Sequence, residues 1–334
     1  MTVKRLFLAA ALALILATPA IANDSMAELS AGGLIYVRTD AVAMESEDLF
    51  ISMDEVKVDY IFRNRTDADV ESVVAFPMPD IEANPHANIA LPQDMVDNFL
   101  GFTATVDGQA VEPTLDQRVF AAEVDVTDEL KAASVPLFPF GDAVEAAIAA
   151  LPQATRDDWV ARGILTIDTY DVGQGMTDHY VPTWTLKSAY WWRMSFAAGQ
   201  PVRVSHRYAP SVGGSAGLSF IDNGRPGGDI HRQYQEKYCM DASFDRAIQK
   251  LIQRAGGDYP PYYESWISYV LTTGQNWATT IEKFRVTIDK GDPATLVSFC
   301  GSGVKKIGPT TFQMTAENFY PSRDLHILLV RKSQ

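Results

Sequence analysis

The stretch Val56–Asn64, "VKVDYIFRN", is written in a period of two. Val56, Val58, Tyr60 and Phe62 fall on one side, and Lys57, Asp59 and Arg63 on the other. Successive side chains of an extended strand point to opposite faces, so this period of two specifies a half-buried antiparallel strand. The pattern returns further on. In "WTLKSAYWWRMSF" the apolar positions are Trp184, Leu186, Tyr190, Trp192, Met194 and Phe196, with Thr185, Lys187, Arg193 and Ser195 between them. "VRVSHRY" places Val202, Val204, His206 and Tyr208 on one face. Turn residues suggest how these strands pair. "NRTDAD" would return the chain through "VESVVAFPMP", which Pro77 and Pro79 stop, and Ala197–Pro201 would close a long hairpin. Asp107-Gly108 in "FTATVDGQAV" signals a tight hairpin turn.

From about Thr127 to Gly163 the alternation breaks. "GDAVEAAIAAL" and "TRDDWVARG" read as short helices inserted between strands. A Gly-rich segment, "SVGGSAGLSFIDNGRPGGD", forms a seam. It is followed by "ASFDRAIQKLIQRAGG", with Phe244, Ile248, Leu251 and Ile252 at helical spacing. Strands then resume to the end. The expected fold is mainly β (α+β) with two β-rich domains. Residues 23–217 form a β-sandwich with a helical insertion at about 127–163. Residues 218–334 form an antiparallel sheet with one packed helix.

The N-terminus sets the compartment. Lys4 and Arg5 precede an apolar run from Leu6 to Thr18, and Ala20-Ile21-Ala22 is a small-x-small site. Residues 1–22 therefore read as a signal peptide cleaved after Ala22, which places the mature chain in the periplasm. No cysteine stands at the junction for a lipid anchor, and no later run is long enough to span a bilayer. Cleavage removes two positive charges and no negative ones, taking the formal charge from −14 to −16. Such acidity argues against nucleic acid and anionic lipid as partners. Cys239 and Cys300 are the two cysteines. In an oxidising compartment an even pair reads as one disulfide; a free catalytic thiol is the alternative.

Several stretches together resemble a known family. They are "NDSMAELSAGGL", "EDLFISMDEVKVDYIFRN", "VVAFPMPDI", "FAAGQPVRVSHRYAPSVGG", "KYCMDASF", "LTTGQNWATTIEKFRVTIDKGDP" and "LVSFCGSGVKKIGPTTFQM". The resemblance is to the exported bacterial family called domain of unknown function 4424, over nearly the whole mature chain. It implies an exported protein with paired cysteines and specifies no activity. The segment ending in "VVAFPMP" is also similar to the β-sandwich halves of inter-α-trypsin-inhibitor-type domains, as a fold analogy.

Candidate chemistry is sparse. Gly213–Gly217 matches G-x-S-x-G, which makes Ser215 a candidate nucleophile with His206 as base, but no helix is expected after the serine, as a nucleophile elbow requires. Asp168, Asp171, Asp178 and His179 are candidate metal ligands whose spacing fits neither a calcium loop nor a zinc pair. Trp191 and Arg193 fall on the outward phase of their strand, an interface pairing, and are the candidate binding residues. "GSGVKK" after Cys300 reads as a turn, because a phosphate loop must open a helix. Asn64-Arg65-Thr66 is a sequon in form. No motif calls for a cofactor. The expected function is non-catalytic binding of another envelope protein, a glycan or a cell-wall component; the alternative is an exported hydrolase, esterase-like or metal-assisted. Alkylation of the exported protein before reduction should add nothing to its mass, whereas reduction under denaturing conditions should expose two reactive thiols. Two adducts without reduction would contradict the bridge.

Overall fold

The structure is a computed structural model, describing residues 24–30, 33–83, 89–90, 98–171, 173, 175–256 and 261–333. The leader expected over 1–22 lies outside them. Strands dominate, in three main sheets. A seven-stranded sheet has Thr185–Phe196 near its centre, flanked by Thr114–Ala121 and Val70–Pro77, with Ser25–Ser30 and Gly33–Val37 beyond. An eight-stranded sheet faces it, ordered Lys305–Lys306, Thr311–Phe319, Ile281–Asp289, Val42–Ile51, Val56–Asn64, Pro201–Tyr208, Thr103–Val106 and Gln109–Val111. It curls into half a barrel. A five-stranded sheet carries Leu296–Phe299, Leu325–Lys332, Tyr262–Tyr269, Val212–Ser215 and Ile89–Ala90.

The expected phases hold, but two expected pairings do not. Val56, Val58, Tyr60 and Phe62 all face the core, as do Trp184, Leu186, Trp192, Met194 and Phe196. Yet Val56–Asn64 pairs with Val42–Ile51 and Pro201–Tyr208, whereas Val70–Pro77 lies in the opposite sheet. Thr185–Phe196 and Pro201–Tyr208 are likewise split between the two sheets. Each expected hairpin is an arch whose strands face one another across the core. The reason is physical: a strand with one apolar face can meet its neighbour edge to edge or face to face, and polar turn residues serve either route. Asn64 closes the first arch. It is fully buried, donates through Nδ2 to Ala68 O at 2.8 Å and Phe196 O at 2.7 Å, and accepts from Thr66 N at 2.9 Å. The sequon is therefore a structural corner, not a glycan acceptor. The Asp107-Gly108 hairpin forms as expected, with φ of 48° and 78°.

Among the described residues there are five α-helices. Helices α1 (Thr127–Ala132), α2 (Asp142–Ala150) and α3 (Gln153–Ala161) fill the expected insertion and send Leu130, Val144, Ile148 and Trp159 into the main core. Helix α4 (Gly228–Tyr238) occupies part of what reads as a seam, so the C-terminal part has two packed helices where one is expected. Helix α5 (Ala242–Ala255) is capped by Asp241, whose carboxylate accepts from the backbone N–H of Ser243 and Phe244 at 2.8 Å each. Strand Leu325–Lys332 lies between two cores. Ile327 and Leu329 enter the sandwich core, while Leu328 and Val330 meet Phe220, Tyr238, Phe244 and Ile248 beneath α4 and α5. Burial on both faces explains why Ile327–Val330 is continuously apolar. Cys239 and Cys300 form a disulfide with Cα atoms 5.0 Å apart, joining the C-terminus of α4 to the end of Leu296–Phe299. Among the described residues no helix is long and apolar enough to cross a membrane.

The sandwich core is not wholly apolar. His206 is fully buried, ringed by Tyr60, Phe76, Phe102 and Trp192 at centroid distances of 5.0 to 5.6 Å. Burial pushes its pKa down to about 3. An unfolded histidine titrates near 6.5, so below that pH the unfolded chain binds a proton the folded one refuses. This group's contribution to stability is therefore complete above about pH 6.5. It is lost as pH falls towards about 3, by up to about 1.4 kcal/mol per pH unit. The His206 imidazole resonances should stay at their neutral positions from pH 8 to pH 5. A midpoint near 6 would contradict this burial.

Candidate functional site

Strand Thr311–Phe319 is paired along one side with Ile281–Asp289, from Thr311↔Asp289 to Phe319↔Ile281. On its other side Lys305–Lys306 covers Phe312 and Gln313. From Met314 onward no described strand occupies that side. Here the half-barrel opens into a cleft of about 570 Å³, bounded across the gap by the disulfide and by residues 322–325 leading into Leu325–Lys332. Mouths of curled sheets and junctions between packed units are common places for ligands.

The floor is apolar. Phe284, Val286, Met314 and Leu325 are buried there, and Phe319 stacks on Phe284 at 4.2 Å between centroids. Cys239–Cys300 forms part of the wall. Gly301 lies beside it because little else fits: a Cβ there would stand 2.8 Å from Val304 Cγ2 and 3.1 Å from Met314 Sδ. Two charged groups at the rim hold structure in place. Arg323 donates to Glu236 O at 2.9 Å and Lys237 O at 3.4 Å, countering the negative C-terminal end of α4. Asp324 accepts from Leu271 N at 3.2 Å, Thr272 N at 3.1 Å and Thr272 Oγ1 at 2.8 Å, capping the 3₁₀ turn Thr272–Asn276. Tyr320 is 59% exposed and steadied by donation to Gln275 Oε1 at 3.0 Å. The cleft thus offers an apolar floor, an aromatic rim and a length of strand edge. These features suit recognition of an extended chain, which supplies both backbone hydrogen bonds and alternating side chains.

The residues singled out in the sequence are scattered. Ser215 ends strand Val212–Ser215, and its hydroxyl bonds Gly217 O at 3.3 Å. After it come a bend and a two-residue strand, not a helix. Gly213 has a packing role: a Cβ would lie 1.9 Å from Trp266 Nε1. His206 stands in a different sheet, sealed in the core, and no hydrogen bond joins Ser215 to a histidine among the described residues. Asp168, Asp171, Asp178 and His179 share the exposed hairpin Leu165–Asp171/Met176–Pro182, with Asp168 opposite His179. His179 stacks on Tyr170 at 3.8 Å and bonds Thr177 Oγ1 at 2.9 Å. Asp178 accepts from Thr169 Oγ1 at 2.8 Å, and Asp171 holds the turn through Gly173 N and Gly175 N. Among the described residues no three of His, Cys, Asp or Glu group as a metal would require. Trp191 is half-buried against Ala27, Val73 and Ala75 on the outer face of the seven-stranded sheet, and Arg193 is exposed on the same strand. The cleft residues Met314–Phe319 read in the sequence only as a strand, because an uncovered edge leaves no mark on the strand that bears it.

Comparison with known proteins adds a family and little more. No curated protein matches the chain. A crystal structure of a candidate nutrient-binding protein from Legionella pneumophila subsp. pneumophila str. Philadelphia 1 aligns with a TM-score of 0.46 at 15% identity, over 93% of this chain and 70% of that one. The M1 zinc metallopeptidase of Deinococcus radiodurans aligns at 0.25 and 8%, over 88% of this chain and 43% of that one. Neither likeness bears on function at those scores. The family model is decisive: with residues 22–328 matched, the chain belongs to the family described as domain of unknown function (DUF4424).

Proposed function

We propose that this is an exported, periplasmic binding protein that holds an extended segment of another envelope protein in the mouth of its half-barrel. The observation that carries the reading is the uncovered side of Met314–Phe319 above the Phe284–Phe319 floor. Of the partners expected from the sequence, a polypeptide fits this edge best, because it alone supplies a second ladder of N–H and C=O groups; a glycan does not. The disulfide in the cleft wall accords with an oxidising compartment. The hydrolase alternative would need Ser215 or Asp178 within reach of a free imidazole. Ser215 bonds its own turn; Asp178 and His179 line one surface cleft, but Asp178 bonds Thr169 and His179 bonds Thr177; and His206 is sealed. Trp191 and Arg193 would form a separate contact face on the far sheet.

The test uses fluorescein-labelled heptapeptides of alternating valine and polar residues, with net charge +2, 0 or −2, titrated with the oxidised protein. Binding at roughly micromolar Kd is expected for the +2 and neutral peptides, since about −8 kcal/mol is within reach of a short augmented strand. The −2 peptide should bind most weakly at low salt, given a chain with formal charge −14. Tyr320→Ala should weaken binding several-fold with little change in Tm, because the ring is largely exposed. Ala316→Arg, at the cleft lining, should weaken it at least tenfold. Equal affinity for both variants and the parent would remove the cleft from consideration.

A further inference from the structure

The disulfide in the cleft wall is open to solvent. Cys239 is exposed and Cys300 half-buried, and both line the cavity. Fastening α4 to the sheet would not require that placement. Tyr238 and Met240, on either side of Cys239, are buried in the smaller core beneath α4 and α5. Cys239 turns out between them. Its backbone is left-handed, with φ of 53° and ψ of 41°, a conformation that a residue with a Cβ keeps only where its surroundings hold it. An exposed bridge is the kind that thiols reach and exchange.

The two sulfurs stand in unlike surroundings. Arg323 Nη1 donates to Cys239 Sγ at 3.8 Å, while Nη2 of the same guanidinium donates to Glu236 O at 2.9 Å and Lys237 O at 3.4 Å. Cys300 Sγ instead faces those two carbonyl oxygens, at 3.9 Å and 3.6 Å. A guanidinium steadies a thiolate and carbonyl dipoles oppose one, so scission leaves the negative charge on Cys239. The nearby carboxylates are committed elsewhere: Asp241 caps α5, and Asp324 caps the 3₁₀ turn. We propose that the cleft captures its partner covalently: a cysteine thiolate in the bound polypeptide attacks Cys300 Sγ, and Cys239 leaves as a thiolate beside Arg323. The inference rests on the reading of the cleft as a polypeptide site. One sulfur–sulfur bond forms, between the partner and Cys300, and one breaks, between Cys300 and Cys239. The electron pair of the broken bond goes to Cys239, and the proton lost by the partner's thiol goes to solvent. The partner's sulfur is oxidised and Cys239 is reduced, so no outside oxidant or reductant is consumed. Attack by Cys239 on the mixed disulfide restores the bridge and releases the partner. The partner class is a polypeptide with an unpaired cysteine in an extended stretch.

The test mixes the oxidised protein with neutral heptapeptides of alternating valine and polar residues, carrying one cysteine at each position in turn. A parent peptide with serine in place of cysteine serves as the reference. Samples are quenched in acid and weighed intact. At saturating peptide, the best-placed cysteine should form a mixed disulfide about tenfold faster than free cysteine at the same concentration, because a bound thiol acts at a raised effective concentration. Peptide mapping should place the adduct on Cys300, and alkylation should find the free thiol on Cys239. An adduct on Cys239, or no position faster than free cysteine, would overturn covalent capture, while binding of the serine peptide would leave the cleft reading standing. Failure of the serine peptide to bind would sink both. At saturating peptide, Arg323→Gln should slow the exchange by about fivefold and spread the adduct over both sulfurs, since the leaving thiolate has lost its cation. An unchanged rate with the adduct still on Cys300 alone would overturn the assigned leaving group. Should Arg323→Gln not accumulate, the mapping on the unaltered protein decides.

Discussion

The parallel ladder between Val42–Ile51 and Ile281–Asp289 is the constraint on which the rest of the molecule depends. It brings together strands more than two hundred residues apart and seats the C-terminal half in the sheet begun by the N-terminal half. The register is marked by charge: Arg285 stands opposite Asp48, and its Nε donates to Asp48 Oδ1 at 2.7 Å, a forked pair on the outer face. A slip of one residue would turn Phe284, Val286 and Ile288 out of the core and their polar neighbours into it. Long-range pairing of this kind requires loop closure before any contact offsets it, so the ladder is secured by what packs on it.

Two features depend on that ladder. Ile281–Asp289 brings its hairpin partner Thr311–Phe319 to the open side of the half-barrel, where the cleft forms. The chain then returns through Leu325–Lys332, which must be apolar on both faces because the sandwich lies on one side and α4 and α5 on the other. The disulfide fastens this outer layer at the cleft rim, closing a loop across a sequence separation of 61 residues. In the chain-entropy account such a closure limits the unfolded state by roughly 4 kcal/mol. Its position in the cleft wall also keeps α4, and hence the carbonyls that Arg323 binds, next to the open strand edge.

What the sequence made legible is the orientation of each strand; what it hid is each strand's neighbour. The alternation of Val56–Asn64 announces its buried face because a single residue's environment sets it. The split of Val56–Asn64 and Val70–Pro77 between opposite sheets depends on strands Pro201–Tyr208 and Thr185–Phe196, more than a hundred residues away. Helix α5 was readable from its apolar stripe of Phe244, Ile248, Leu251 and Ile252. Helix α4 was not, since it begins at Gly228 in a Gly-rich run and buries only His231 and Tyr238. The bridge was readable from an even pair of cysteines taken with the expected export leader. The cleft was not: its floor comes from Phe284, Met314 and Leu325 on three strands, and its edge is defined by a neighbour that ends at Lys306.

The same distinction explains His206 and Asp24, whose types suggest chemistry and whose positions deny it. His206 shares its face with Val202, Val204 and Tyr208, and four aromatic rings keep out the water it would need to act as a base. Asp24 reads in sequence as a polar residue at a chain start, where solvent exposure is the default. The structure instead buries it beside the indole of Trp277, with Phe62 packed on that ring at 4.3 Å. Burial there, and secondarily the charge of Glu47, push its pKa well above the usual carboxylate range.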